Sequence, residues 1–468
     1  SSWPATPRRA TASAAPWRST GTPSWLVPTT NTAKEARSTS TARATAAPHI
    51  RTTDGGATYV ELAKLTASDA AEDDYFGISV AINGDTIVVG AYQYHTGRSG
   101  AVYVFRTTDG WITHTKIKLT ASDAAAYDNF GYSVAIDGGT VVVGARQDDD
   151  AGTSSGSAYV FRTTDGGATY VELAKLTASD AAAYDYFGRS VAIDGDTIVI
   201  GAHQYYNDGS GAAYVYRTSD GGATYGQVAK LTASDAAGDK FGYSVAVVDG
   251  ATIVVGAPNG EAAYVFRTTD GGATYDEIAK LTPSDGAAGF FGGSVALAGG
   301  TVVVGAYADD DGSFLSAKTK SGSAYVFRTS DGGATYDQVA KLTASDAAAD
   351  DGFGFGFSVA IDGTTIVVGA EQYYSSGSGA AYVFDANAPT SQPAPAPTSG
   401  EFLNPVPTAT PALSPTAESV VINSQLVLAE VTVDATTLET IVKTALVATL
   451  SYVTSTDQIV AFSVVSSR

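Results

Sequence analysis

Three stretches of the chain share one theme: Gln93-Tyr94, Gln204-Tyr205-Tyr206 and Gln372-Tyr373-Tyr374. A tyrosine offers a flat apolar face and a polar tip at low conformational cost, which suits stacking on a sugar or anchoring a protein partner. Tyr94, Tyr205, Tyr206, Tyr373 and Tyr374, with Gln204 and Gln372, are therefore candidate ligand-binding residues. The same tyrosines could instead cover the edge of a sheet, and the sequence leaves both roles open. Two acidic runs, Asp148-Asp149-Asp150 and Asp309-Asp310-Asp311, gather carboxylates that are hard ligands suited to Ca²⁺. A solvated acidic surface is the competing explanation, and the one that ordinary charge runs favour. No other cofactor is called for.

Catalytic constellations are harder to build. Without cysteine, the chain has no thiolate nucleophile, thiolate metal site or disulfide. The four histidines, His49, His95, His114 and His203, show no pairing by spacing, and no nucleophile elbow occurs. Arg106, Arg162, Arg217, Arg267 and Arg328 hold one equivalent position in successive repeats, which assigns them to the scaffold. The sequence is therefore read as a non-enzyme.

Those candidate residues sit between the elements of a strong internal repeat. Phe-Gly followed by x-Ser-Val recurs at Phe76, Phe130, Phe187, Phe241, Phe291 and Phe355. Each unit has four beats, as in "FGRSVAI", "DTIVIGA", "GAAYVYRT" and "TYGQVAKLTA". The beats are rich in β-branched residues and have strand length. "IDGD" or "INGD" joins the first two, supplying the positive φ of a two-residue hairpin. "TTDGGATY" or "TSDGGATY" makes a second Gly-bearing turn between the third and fourth. Four antiparallel strands cannot bury both faces alone, whereas blades packed radially can. The pattern predicts an all-β fold, a β-propeller of four-stranded blades with six Phe-Gly units in frame. A β-solenoid is the alternative, although its coils are shorter and lack paired hairpin turns. The aromatics of "AYVF" read as packing.

Phe76-Gly77 with Val89-Gly90-Ala91, and their five counterparts, resemble the FG-GAP repeat of integrin α subunits and many secreted microbial and algal proteins. The resemblance covers roughly residues 50–385. It implies a propeller outside the cell or on its surface, engaged in adhesion or recognition. Family members bind Ca²⁺ in an Asp-rich loop between the first two strands. Here that loop has shrunk to "IDGD", so the family's calcium site does not carry over directly. "TSDGGATY" (Thr329 to Tyr336) also resembles the Asp-box hairpin of sialidases and sortilin-type propellers, a feature of fold and not of chemistry.

The flanks differ in kind. Residues 1–49 are rich in Ser, Thr, Ala, Pro and Arg. Written with permitted codons and read one base out of step from Ala12, this stretch spells FGGSVAIDGDTVVVGAY, the repeat itself. The expectation is a displaced-frame copy of a seventh unit, or a disordered segment, with a base inserted or deleted near residues 30–50 of the coding DNA. Seven blades are then expected of the parent gene, and the absence of methionine points to a fragment or processed product. The last unit stops after its third beat, and residues 51–65 carry a lone fourth beat, so pairing of the two would close a six-blade ring. Residues 386–418 form a Pro/Ser/Thr/Ala linker, and 419–468 read strand, helix, strand, a partial α+β module.

A net charge of −21 disfavours nucleic acid and anionic lipid as partners. No apolar run is long enough to span a membrane. The expected role is an extracellular or cell-surface recognition and adhesion scaffold, binding a protein or glycan through its variable strand 2–3 loops. The alternatives are an Asp-box-type hydrolase acting on polysaccharide and a purely structural coat protein.

Overall fold

The computed structural model describes residues 47–51, 60–69, 74–92, 97–204, 209–235, 238–286, 289–309, 321–344, 355–370 and 380–387. Of the segment 1–49 expected to be displaced in frame or disordered, residues 1–46 lie outside the described residues, while 47–49 begin the strand Ala47–Arg51. Of the expected linker 386–418 only residues 386 and 387 are described, and the α+β module expected at 419–468 lies outside the described residues. The described strands all fall within one compact unit, Ser1–Ala394; a second, Pro395–Arg468, lies outside them.

Every described element is a strand. Blade 1 is Val80–Asn83, Thr86–Ala91, Ala101–Arg106 and Thr115–Leu119. Blade 2 is Phe130–Asp137, Thr140–Ala145, Ser157–Arg162 and Val171–Leu176. Blade 3 is Ser190–Asp194, Thr197–Ala202, Ala212–Arg217 and Gly226–Leu231. Blade 4 is Ser244–Val248, Thr252–Ala257, Ala262–Arg267 and Asp276–Leu281. Blade 5 is Ser294–Ala298, Thr301–Ala306, Ser323–Arg328 and Asp337–Leu342. Blade 6 has three strands, Phe355–Asp362, Thr365–Ala370 and Ala380–Asp385. Within each blade the strands pair antiparallel in chain order. The expected six-bladed propeller array is the fold.

Both faces of a blade are covered, which is why its second strand is a β-branched run and not an alternating one. In blade 1, Val88 packs toward blade 2 with Phe130, Val134 and Val143. Its neighbour Val89 packs the other way, with Leu65, Phe76 and Tyr103. The phenylalanines of Phe-Gly are fully buried in five units, at Phe76, Phe130, Phe187, Phe241 and Phe291. Each lies against two third-strand aromatics of its own blade; Phe130, for example, is 5.4 Å from Tyr159 and 5.9 Å from Phe161. The "AYVF" aromatics are packing, as expected.

The glycine after that phenylalanine serves the joint between blades. Gly188 adopts φ +85° and turns its carbonyl back toward blade 2. There Ser133 Oγ donates to Gly188 O at 2.8 Å. A Cβ on Gly144, the glycine of "VVGA", would lie 2.0 Å from that same oxygen. Ser79, Ser190, Ser244 and Ser294 make the same donation to Gly131, Gly242, Gly292 and Gly356 of the following blade. The Ser, the Phe-Gly glycine and the Gly-Ala glycine thus form one recurring inter-blade contact. Arginine adds a second: Arg162, Arg217 and Arg267 donate to the Gly221, Gly271 and Gly332 carbonyls in the following blade's Asp-box turn. The repeat-equivalent arginines serve the scaffold.

The ends depart from expectation. Val60–Leu65 pairs with Ala47–Arg51 in a two-stranded antiparallel sheet, and no backbone pairing joins it to Ala380–Asp385 among the described residues. Leu65 and Ala67 pack into the core of blade 1. A strand a few residues away closes a much shorter loop than one over 300 residues distant, and the loop-closure entropy favours it. Among the described residues no fourth strand pairs with the edge of blade 6. Its third strand alternates exposed and half-buried, whereas the third strands of blades 1–5 are buried throughout except at their final Arg.

Candidate functional site

The strand 2–3 loops share one face with the connectors that lead from strand 4 to the next blade. Loop and connector are hydrogen-bonded to each other: Gln147 N–H donates to Asp128 O at 3.1 Å, and Phe187 N–H to Ser155 O at 2.9 Å. Parallel bridges Gly100–Phe130, Gly156–Phe187 and Gly211–Phe241 repeat that attachment from blade to blade. The opposite face carries the tight turns. There Asp220 of the Asp-box turn accepts from the backbone of Ala223 and Thr224 and from the hydroxyls of Thr218 and Thr224. Such bonds to the ionised form hold its carboxyl well below the usual carboxylate range. The Thr113 and Thr107 bonds do the same for Asp109, down to about 2.

The acidic loops are anchored from within. Asp148 is buried, and it accepts from Ser157 Oγ at 3.0 Å, Tyr159 Oη at 2.9 Å and Lys175 Nζ at 2.9 Å. Lys175 also meets Asp123 at 2.6 Å and Asp150. One oxygen each of Asp123, Asp148 and Asp150 lies within 4.8 Å of the others. The positive charge at their meeting point is the Lys175 ammonium. Burial works against that ammonium, but the three carboxylates outweigh it and raise its pKa above the usual lysine range. Asp149 lies apart from this group and accepts from Ser154 N–H at 2.6 Å within the loop. Asp309 repeats the role of Asp148 in blade 5, accepting from Tyr325 Oη at 2.8 Å and Lys341 Nζ at 2.9 Å. Asp310 and Asp311 lie outside the described residues.

The family's calcium loop can be tested directly. Between the first and second strands of blade 3 only Gly195 and Asp196 intervene, and Asp194 Oδ2 accepts from Gly250 N–H of blade 4 at 2.7 Å. Two residues whose flanking carboxylate is engaged with a neighbouring blade do not fit an ion needing six or more oxygens.

Of the aromatic candidates, only Gln204 is described. Its Nε2 donates to Asp185 Oδ1 at 2.9 Å, tying the loop to the connector of blade 3. Tyr94, Tyr205, Tyr206, Gln372, Tyr373 and Tyr374 lie outside the described residues.

The structure assembles a further cluster that the loops did not announce. Its members are the residue after Phe-Gly (Tyr132, Arg189, Tyr243) and the residue after Gly-Ala (Tyr92, Arg146, His203, Tyr307). These positions vary from unit to unit while their neighbours repeat. First strands lie nearest one another from blade to blade, so the variable residues converge on the inner rim. Tyr92 and Tyr132 meet edge to face at 5.4 Å. Arg146 and Arg189 both lie over the Tyr132 ring, at 3.7 and 4.8 Å from its centroid, and Arg189 lies over Tyr243 at 4.0 Å. His203 packs against Tyr243 at 5.5 Å and Tyr186 at 5.4 Å. Burial, with the charges of Arg189, Arg146 and Lys240, pushes the His203 imidazole far below its usual range and keeps it neutral. Burial opposes ionisation of Tyr132, yet the two arginines outweigh it and lower its hydroxyl below the usual tyrosine range. The signal that marks these residues is variation at two positions, after Phe-Gly and after Gly-Ala, beside otherwise repeated residues.

The FG-GAP repeat model matches six segments of the chain, 59–105, 114–161, 170–216, 225–275, 275–327 and 336–384. No curated protein sequence matches it. Among solved structures, Sqt1 of Saccharomyces cerevisiae shares 11% identity over 66% of this chain and 82% of its own, with a TM-score of 0.37. A protein from Lactobacillus plantarum shares 13% identity over 74% of this chain and 89% of its own, with a TM-score of 0.48.

Proposed function

Since the chain belongs to the FG-GAP repeat family, we propose that this six-bladed propeller is a recognition or adhesion scaffold working outside the cell or at its surface. It binds a protein or glycan partner through the face that carries the strand 2–3 loops. The observation that carries this reading is the contrast between those loops and everything around them. Blade 4 crosses from its second to its third strand with "PNGE", and blade 5 with "YADDDGSFLSAKTKSG", while the strands on either side are near copies. Rigid scaffolds with variable loops are a common route to binding surfaces. Buried polar posts, Asp148 in blade 2 and Asp309 in blade 5, fix where those two loops begin, which lowers the ordering cost of binding. No described helix is long and apolar enough to cross a membrane.

The test exchanges the blade 5 loop for "PNGE" and screens parent and chimera on a glycan array and a panel of recombinant extracellular proteins. The expected result is a partner bound by the parent and lost by the chimera, which still unfolds cooperatively, at a midpoint lowered by the loss of Asp309. Binding that survives exchange of every strand 2–3 loop would sink the proposal.

A further inference from the structure

Among the described residues, Arg146 and Arg189 stand apart on the inner rim as guanidiniums with no carboxylate beside them. Arg98 pairs with Asp74, and Arg162, Arg217, Arg267 and Arg328 donate to backbone carbonyls. Arg146 and Arg189 do neither. Among the described residues no carboxylate lies within ion-pairing distance of either guanidinium. Their partners are neutral: Asn129 Oδ1, which accepts from Arg146 Nε at 3.3 Å, the Tyr132 hydroxyl, which accepts from Arg189, and the rings of Tyr132 and Tyr243. Both side chains are half-buried, so they have given up part of their hydration without gaining a counter-charge. Both press on the one Tyr132 ring, which brings two like charges close together. Acidic residues outnumber basic ones 48 to 27, so a local excess of positive charge here is not a consequence of composition.

We infer that Arg146 and Arg189, framed by Tyr132 and Tyr243 at the inner rim of blades 2 to 4, form a binding site for a carboxylate, presented by an acidic side chain of a protein partner. This rests on the recognition reading and names the chemistry of its partner. Guanidinium N–H groups and carboxylate oxygens form the strongest class of protein hydrogen bond, often in pairs. The ring surfaces turned toward the arginines are already covered by them, so the cluster offers an incoming group N–H donors and phenol hydroxyls. That set fits an oxyanion on a slender stem better than the broad face of a sugar ring. Salt screens the surrounding acidic surface beyond about 8 Å at physiological ionic strength, so contact at the rim outweighs the overall repulsion.

The test is fluorescence polarisation on the full chain. The probes are N-terminally labelled, C-terminally amidated Gly-Gly-Glu-Gly-Gly, its Gln isostere and a glucuronate-bearing disaccharide. Charge-assisted hydrogen bonds lead us to expect a preference of about tenfold for the Glu peptide over the Gln peptide. The double variant Arg146→Gln/Arg189→Gln should abolish that preference. Should it fail to fold, Arg189→Lys keeps the charge and loses the paired geometry, and should reduce the preference while the thermal midpoint holds. Equal affinity for both peptides, or a preference that survives the double variant, overturns the site. Tighter binding of the glucuronate disaccharide than of the Glu peptide overturns the choice of partner. The loop-exchange chimera keeps Arg146 and Arg189, so failure here is separable from failure of the recognition reading.

Discussion

Asp128 shows how one side chain in the connectors makes stability depend on pH. It is buried, accepts from Ala125 N–H at 2.7 Å, and sits near the Asp148 carboxylate. Burial first, then Asp148, push its pKa up to about 6. The native state therefore holds this proton to higher pH than the unfolded chain, whose aspartates titrate near ~4. Its stabilising contribution is complete below that value and is lost as pH rises through about 6. Asp128→Asn should be more stable than the parent by about 2 kcal/mol at pH 7, with no difference near pH 4. Urea unfolding at the two pH values measures this, and an unchanged difference would refute it. At this scale the sequence is uneven. Phe130 and its counterparts announce themselves by repetition. Arg146 and Arg189 do not, because they stand at different variable positions in different units, one after Gly-Ala and one after Phe-Gly, and come together only when consecutive blades pack side by side.

At the scale of strands and turns, the joint between consecutive blades is the unit that matters. Gly144 belongs to it, since a methyl there would meet Gly188 O at 2.0 Å and Ser133 Oγ at 2.3 Å. A backbone oxygen cannot swing aside, so blades 2 and 3 must separate to admit it. Gly144→Ala should cost about 3 kcal/mol or more, whereas Gly226→Ala, with nothing within 4 Å, should stay within about 0.5 kcal/mol. Denaturant midpoints of the two variants decide the matter, and equal small effects would contradict the joint as described. The strands themselves were legible in the sequence. Burial of both faces demands β-branched runs such as "TIVIGA", and Gly-bearing turns separate them. The acidic loops were legible only as charge. That Asp148 faces inward onto Lys175 depends on a lysine 27 residues later in the fourth strand.

For the whole array, the weak place is its last edge. Tyr382 and Phe384 of Ala380–Asp385 are half-buried, and no fourth strand covers them among the described residues. Amides of Ala380–Asp385 should exchange with solvent at least ~100-fold faster than those of Ala212–Arg217, the equivalent strand of blade 3. Hydrogen exchange read by mass spectrometry tests this, and equal protection would show that the edge is closed by another strand. The sequence left this end ambiguous, because Val60–Leu65 has the composition to pair with either a near or a distant strand. Only the difference in closure entropy separates the two.

The serine of each unit reaches the glycine of the one that follows, and the same three residue types meet at every such boundary. Units are therefore interchangeable in a way that their loops are not. Excising one complete period from the gene brings together two ends that already match. A cut of any other length leaves a donor facing no acceptor. Unequal recombination among near-identical copies would thus lengthen or shorten this protein in whole periods, adding or removing one exposed loop each time.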